Sequence, residues 1–186
     1  MSYDKDNREA YILEKGDYKE AAAQFSGLKE KDLYKSQRTE YVFKYAYCCM
    51  ENGDLDSAYS GFMDVNGRKL SDYTAPAHYA LGYIEYNRQN FPNAREWFER
   101  AASDSRFASN ASYYVLECRF LMRDYPYVIE KGTEMFADAP MDRKPHLARI
   151  ISESYLVGGD VENARKFYEH TIAGQESRNT RADWFY

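Results

Sequence analysis

Three histidines and three cysteines are the side chains of this 186-residue chain best suited to chemistry, as metal ligands, general bases or nucleophiles. Their spacing supports none of these roles. His78, His146 and His170 are far apart in sequence, and no His-Glu-x-x-His pair is present. Cys48 and Cys49 are adjacent and Cys118 is distant, an odd number that draws neither a disulfide framework nor a four-ligand zinc spacing. They read as small apolar side chains on buried helix faces. A phosphate loop, a Gly-x-Ser-x-Gly elbow and a calcium loop are absent. Acidic residues are plentiful, but they stand at helix starts and on solvated faces, not as a pair placed for proton transfer. The expectation is a chain without catalytic residues, cofactor or metal site.

Composition narrows the partners. Lys and Arg number 25 against 30 Asp and Glu, for a net charge of -5. The short runs Arg143-Lys144 and Arg178 to Arg181 are too sparse to neutralise a phosphate backbone, so nucleic acid is excluded as a partner. No apolar run approaches the roughly 18 residues of a membrane span, and Met1 to Ala10 lacks the apolar stretch of a signal peptide. Leu, Ile, Val and Phe supply only 32 residues, a level that by itself suits a disordered chain. The core material lies instead in 19 Tyr and 20 Ala. A fold that sets large aromatics against small alanines is required.

Self-similarity shows which elements do this. GDYKEAAAQF (Gly16 to Phe25), GDLDSAYSGF (Gly53 to Phe62), QNFPNAREWF (Gln89 to Phe98) and GDVENARKFY (Gly159 to Tyr168) share one pattern. A weaker copy starts at Arg123, with Val128 and Gly132 where Ala and the aromatic stand elsewhere. Anchors at 16, 53, 89, 123 and 159 are spaced by 37, 36, 34 and 36 residues. Asp17, Asp54, Asn90, Asp124 and Asp160 each precede a helical-period segment, where a short acceptor satisfies orphan amides. Gly16, Gly53 and Gly159 stand one residue earlier, where the preceding helix must end in a left-handed cap. Ala21, Ala58, Ala94 and Ala164 fall four residues before Phe25, Phe62, Phe98 and Tyr168, placing small and large on one helix face. Pro92 and Pro126 fit the first turn of their helices. The companion first helices are predicted at about Glu40 to Glu51, Ala77 to Asn87, Asn110 to Met122 and His146 to Val157. Leu28 to Arg38 and Asn66 to Thr74 become turns between repeats.

These units resemble the tetratricopeptide repeat family, whose first helix carries an aromatic, Leu-Gly and an aromatic, and whose second carries Gly-x-Tyr-x-x-Ala-x-x-x-Phe-x-x-Ala. The third unit matches best, through Leu81-Gly82, Phe91, Ala94, Phe98 and Ala101, and the fourth keeps little beyond its turn. The resemblance implies an all-α, right-handed α-solenoid of about five antiparallel helix pairs. It covers residues 2–180, in units 2–38, 39–74, 75–108, 109–144 and 145–180. Residues 181–186 then read as the start of a truncated sixth unit, with Trp184 on its first aromatic position. A cut array, a fragment of a larger bacterial tetratricopeptide protein, would expose a repeat face open to homo-oligomer formation. A natural C-terminal helix capped by Trp184 is the alternative.

Carried over from the family, the groove-facing positions are Phe43, Tyr47 and Met50, then Tyr79, Tyr83 and Tyr86, then Tyr113, Glu117 and Phe120, then Arg149 and Glu153. Spacings of three and four keep each set on one helical stripe. The resemblance thus implies a non-enzymatic scaffold whose concave groove binds a protein or peptide partner through apolar anchors oriented by Tyr hydroxyls. Phe43, Tyr47, Tyr79 and Tyr83 replace the Lys and Asn of chaperone-tail clamps, which disfavours that ligand. A carbohydrate or cell-wall ligand stacked on the Tyr rings is one alternative, and a spacer or self-assembly module is another. The long repeat period resembles that of bacterial cell-envelope assembly proteins, which makes the periplasm or envelope the expected compartment over the cytoplasm.

Overall fold

Ala58 and Phe62 lie one helical turn apart and are both fully buried, and the same holds for Ala21 with Phe25 and Ala94 with Phe98. This pairing on one face makes these segments helices that must pack. The computed structural model describes residues 18–27 and 33–179. Among them are nine helices and no strand: α1 (Tyr18–Ser26), α2 (Arg38–Glu51), α3 (Leu55–Gly67), α4 (Thr74–Asn87), α5 (Phe91–Ala101), α6 (Ala108–Leu121), α7 (Tyr125–Asp138), α8 (Lys144–Val157) and α9 (Val161–Asn179). Asp17, Gly16 and the sixth unit expected from residue 181 lie outside the described residues. No described helix is long and apolar enough to cross a membrane.

The chain divides into two compact units, Met1–Ala111 and Ser112–Tyr186. In the first, α1 packs on α2, α2 on α3, α3 on α4 and α4 on α5. Three-residue connections make α2 and α3, and α4 and α5, antiparallel hairpins. Its main core joins Val42, Ala46, Ala58, Phe62, Ala77, Leu81 and Ile84, and a smaller one joins Ala21, Phe25 and Cys48. In the second, α7 packs on α8 and α8 on α9, around Leu116, Val128, Leu147, Ile150 and Ile151.

All four short turns share one construction. The amide of Asp54 donates to the Cys49 carbonyl (2.9 Å) and that of Gly53 to the Met50 carbonyl (3.0 Å), a six-to-one bond enclosing a shorter one. Asn90 with Glu85, Asp124 with Arg119 and Asp160 with Tyr155 repeat it. The inner residue must take positive φ, which Gly53 (81°) and Gly159 (80°) do at little cost. Gln89 (60°) and Arg123 (63°) adopt the same conformation without being glycine, so the turn's hydrogen bonds override the steric penalty at two positions the sequence does not flag.

Caps divide in the same way. Asp54 accepts from the Ser57 amide and Asp160 from the Asn163 amide, both at 3.1 Å, as expected. Asn90 and Asp124 hold the N-cap positions but make no side-chain cap bond. Pro92 and Pro126 have removed one of the two amides within reach of a cap. Asn90 instead donates Nδ2 to Glu85, and the Asp124 carboxylate takes Arg119 at 2.9 Å. The first helices begin two or three residues before the predicted starts. Turns such as Gln37 N–H to the Tyr34 carbonyl (2.9 Å) and Thr74 N–H to the Ser71 carbonyl (3.0 Å) run directly into α2 and α4.

Of the four described hairpins, two approach closely at a small residue, one inverts the small–large pair and one shifts it. A Cβ on Gly61 would stand 2.7 Å from the Ala46 Cβ, and one on Gly82 would stand 2.8 Å from the Phe98 ring. In the second unit the pair is reversed: Leu116 occupies the first-helix position of Gly82, and Gly132 the second-helix position of Phe98. A Cβ on Gly132 would lie 3.5 Å from Leu116 Cδ2 and 2.8 Å from Ile151 Cγ1. The fourth repeat therefore keeps the packing rule with its partners exchanged. In the last hairpin the expected anchor, Tyr168, is 56% exposed. Ser152 donates to the Ala164 carbonyl (2.8 Å) and draws the α9 backbone against α8. Phe167, one residue earlier, fills the space, stacked on Tyr155 and edge-on to Phe136.

Candidate interaction surface

The expected stripe falls into two sets, one in each unit, and they differ in chemistry. In the first unit it is aromatic. Phe43 on α2 tilts against Phe62 (5.5 Å) and Tyr73 (5.3 Å), so much of its ring is spent on the core. Tyr47 meets Tyr18 edge-on at 5.8 Å, and burial, followed by the nearby Glu51 carboxylate, pushes its phenol up to about 12. Met50 packs against the core cluster. On α4, Tyr79 lies between Phe98 (5.4 Å) and Phe107 (5.5 Å), and Tyr86 meets Phe91 edge-on at 5.7 Å. Tyr83, one turn from each, is 41% exposed, whereas the other stripe aromatics are only partly exposed. The packed rings fix the shape of the surface and Tyr83 projects from it.

In the second unit the stripe is polar and centred on a residue outside the expected set. His146, in the first turn of α8, places Nδ1 2.5 Å from the Tyr113 hydroxyl of α6. Its Nε2 lies 3.3 Å from a Glu117 carboxylate oxygen and 3.3 Å from the Arg149 guanidinium. Arg149 also holds Glu153 at 2.8 Å, one turn on, with its guanidinium over the Phe120 ring at 5.6 Å. Arg143 covers the Tyr113 ring at 5.3 Å. Four of the expected residues, Tyr113, Glu117, Arg149 and Glu153, thus come together through His146. Glu117 is mostly covered, its side chain 15% exposed, while Arg149 at 42% and Glu153 at 47% face solvent. Sequence reasoning passed over His146 because its partners on α6 lie 29 and 33 residues away. Its spacing of three before Arg149 and seven before Glu153, on one face of α8, was the available signal.

The remaining reactive side chains are occupied by structure. His78 lies 2.8 Å from Asn66 Oδ1 and packs on Trp97 (5.5 Å); burial first, then the Arg100 charge, lowers its affinity for a second proton. Cys48, Cys49 and Cys118 are buried and form no disulfide, and burial foremost pushes Cys48 up to about 11.

A tetratricopeptide repeat family model matches residues 71–111, the segment that holds α4, α5 and the Gly82–Phe98 contact. The same fold extends over the chain: the crystal structure of MamA superposes with a TM-score of 0.74 at 17% identity, covering 92% of this chain and 96% of that one. The chain has a tetratricopeptide-like fold. BtubC (BKLC) from P. vanneervenii is similar to it with a TM-score of 0.69 at 13% identity, over 92% of this chain and 78% of BtubC. Nearly identical TPR-like repeats from Podosopora anserina give 0.65 at 12% identity, over 95% and 94% of the two chains. No curated protein matches the sequence. These likenesses establish an all-α, tetratricopeptide-like solenoid fold.

Proposed function

We propose that this chain is a tetratricopeptide repeat protein and a non-enzymatic interaction scaffold, which binds a segment of a partner protein on its first-helix stripes. The observation that carries the reading is Tyr83, a large aromatic 41% exposed in the middle of α4, on a helix whose flanking rings are locked by packing. Rigid, amphipathic side chains on a fixed platform are what a peptide anchor needs, because little side-chain entropy is lost on binding. A peptide is favoured over a sugar. Stacking a pyranose needs a free ring face, and Tyr47, Tyr79 and Tyr86 already meet neighbouring rings.

The test is capture of partners from a lysate by the wild-type chain beside Tyr83→Ala and Tyr79→Ala, with affinities then measured on the captured protein. Loss of roughly tenfold or more in affinity for Tyr83→Ala, at unchanged fold, supports the stripe. Retention by both variants removes it, and binding to a glycan array with no protein captured replaces it with the carbohydrate reading.

A further inference from the structure

We propose that His146 is a proton-operated gate on Arg149, so that acidification releases the Arg149 guanidinium to an acidic segment of a partner. The inference rests on reading the second unit's stripe as an interaction surface, and it adds the regulation of that surface and the charge of the ligand.

The argument starts from one nitrogen with two incompatible neighbours. Nε2 of His146 lies 3.3 Å from a Glu117 oxygen, which can only accept, and 3.3 Å from Nη2 of Arg149, which can only donate. A single ring nitrogen cannot serve both. With a lone pair on Nε2 it accepts from Arg149, Nδ1 carries the proton toward the Tyr113 hydroxyl, and Glu117 is left without the imidazole. With a proton on Nε2 it donates to Glu117, and the Arg149 contact becomes donor against donor. The Tyr113 hydroxyl at Nδ1 can accept or donate, so it is compatible with either state.

Proton uptake decides between them. The imidazolium donates from both nitrogens, Nδ1–H to Tyr113 and Nε2–H to Glu117, and its charge repels Arg149. Glu117 is covered and sits on α6, so it stays. Arg149 is the exposed and movable member, already tied to Glu153 on the same helix face. The charged and titratable groups around the ring include Tyr113 and Glu117 from α6, Arg143 at the N-cap of α8, and Arg149 and Glu153 from α8. Lys144 and His170 both pack on the Phe136 ring of α7. A histidine titrates between about pH 5 and 8, where peptide carboxylates remain ionised, so a freed guanidinium meets a charged ligand.

The gate can be read without any partner. In NMR spectra of the wild-type chain, the His146 ring should titrate between about pH 5 and 8, and the Arg149 Nε–H resonance should move with the same midpoint. Glu117→Gln should lower that midpoint by about half a unit or more, and Arg149→Met should raise it, because one removes a neighbouring anion and the other a cation. A ring that does not titrate in this range, or an Arg149 resonance that moves equally in wild type and His146→Gln, overturns the gate. A second arm uses acidic 12-residue peptides from a phage library, selected at pH 5.5 and retained only if Arg149→Ala abolishes binding. Their affinity should fall at least threefold from pH 5.5 to pH 8 in wild type and stay flat in His146→Gln. Arg149-dependent binding that ignores pH overturns the gate and leaves the interaction surface standing. Co-titration of Arg149 with no peptide selected supports the gate and counts against the surface.

Discussion

Gly82→Ala should destabilise the protein, although alanine is the better helix former. In an isolated helix the exchange gains about 1 kcal/mol. Here the added Cβ would lie 2.8 Å from Cδ1, 2.9 Å from Cε1 and 3.0 Å from Cγ of Phe98. Carbon atoms pack best at about 3.5–4.0 Å, so the ring must retreat by roughly 0.7 Å. It has no free path: Phe98 is fully buried and edge-on to Tyr79 at 5.4 Å, and Tyr79 is backed by Phe107 at 5.5 Å. Overpacking of this kind costs about 1–3 kcal/mol, which exceeds the propensity gain and leaves a net loss of about 1 kcal/mol. Urea unfolding followed by circular dichroism reads the difference, with Gly67→Ala as an internal control. A Cβ on Gly67, at the end of α3, meets nothing within 4 Å, so that variant should be neutral or slightly more stable. Adding Phe98→Leu to Gly82→Ala should cost less than the two changes summed, because the smaller side chain vacates the contact. A Gly82→Ala protein more stable by about 1 kcal/mol would show that backbone propensity, and not the interhelix contact, governs this position.

Four further outcomes follow from the same geometry. Gln89→Gly and Arg123→Gly should each raise stability by about 0.5–1 kcal/mol, since both residues hold positive φ, while Gly53→Ala, which meets no neighbour, should lower it by about 1 kcal/mol; urea midpoints report all three. Phe43→Ala should cost about 3 kcal/mol by unfolding, whereas Tyr83→Ala should leave stability within about 1 kcal/mol of wild type and reduce partner binding. The Cys48 thiol should resist a disulfide reagent at pH 8 until urea is added. Its proton is held from an ordinary 9.0 up to about 11 in the fold, so the unfolded chain ionises first and the Cys48 contribution to stability is lost as pH rises through that window. Tyr41→Phe should cost about 1 kcal/mol through loss of its 2.6 Å bond to the Phe25 carbonyl, again read by urea unfolding.

What the sequence made legible is what depends on near neighbours. Gly53 and Gly159 announce the left-handed turn, and Asp54 and Asp160 cap as their types predict. Gln89 and Arg123 carry no such mark, because the two hydrogen bonds that hold them in that conformation belong to the neighbouring backbone. The fourth repeat looked degraded when Gly132 was compared with aromatics on other second helices. Its meaning is visible only beside Leu116, which reverses the pair across the hairpin. The spacing of Arg149 and Glu153 along one helix face was readable, but their grouping with residues of α6 was not. That depends on how closely α6 and α8 approach, which brings His146 to Tyr113 and Glu117.

The tyrosines, expected in part to orient a ligand through their hydroxyls, are better explained by what those hydroxyls do within the fold. Tyr41 bonds the Phe25 carbonyl, Tyr113 meets His146, and Tyr47 is tied to Tyr18 and Glu51. Burial, followed by the nearby Glu40 carboxylate, raises the Tyr73 phenol. Each phenol fills space as a Phe would and also carries a polar tip to a partner at the edge of the core, often on a different helix, where a wholly apolar ring could not satisfy the groups it meets. A chain poor in Leu, Ile and Val can therefore hold stacked helices together with rings that pack at one end and bond at the other. Orientation of a ligand by free Tyr hydroxyls consequently has less support than anchoring by an exposed ring. The proposed interaction surface contracts from the whole set of tyrosines to Tyr83 in the first unit and, in the second, to the charges that His146 joins, where Arg149 and Glu153 face solvent.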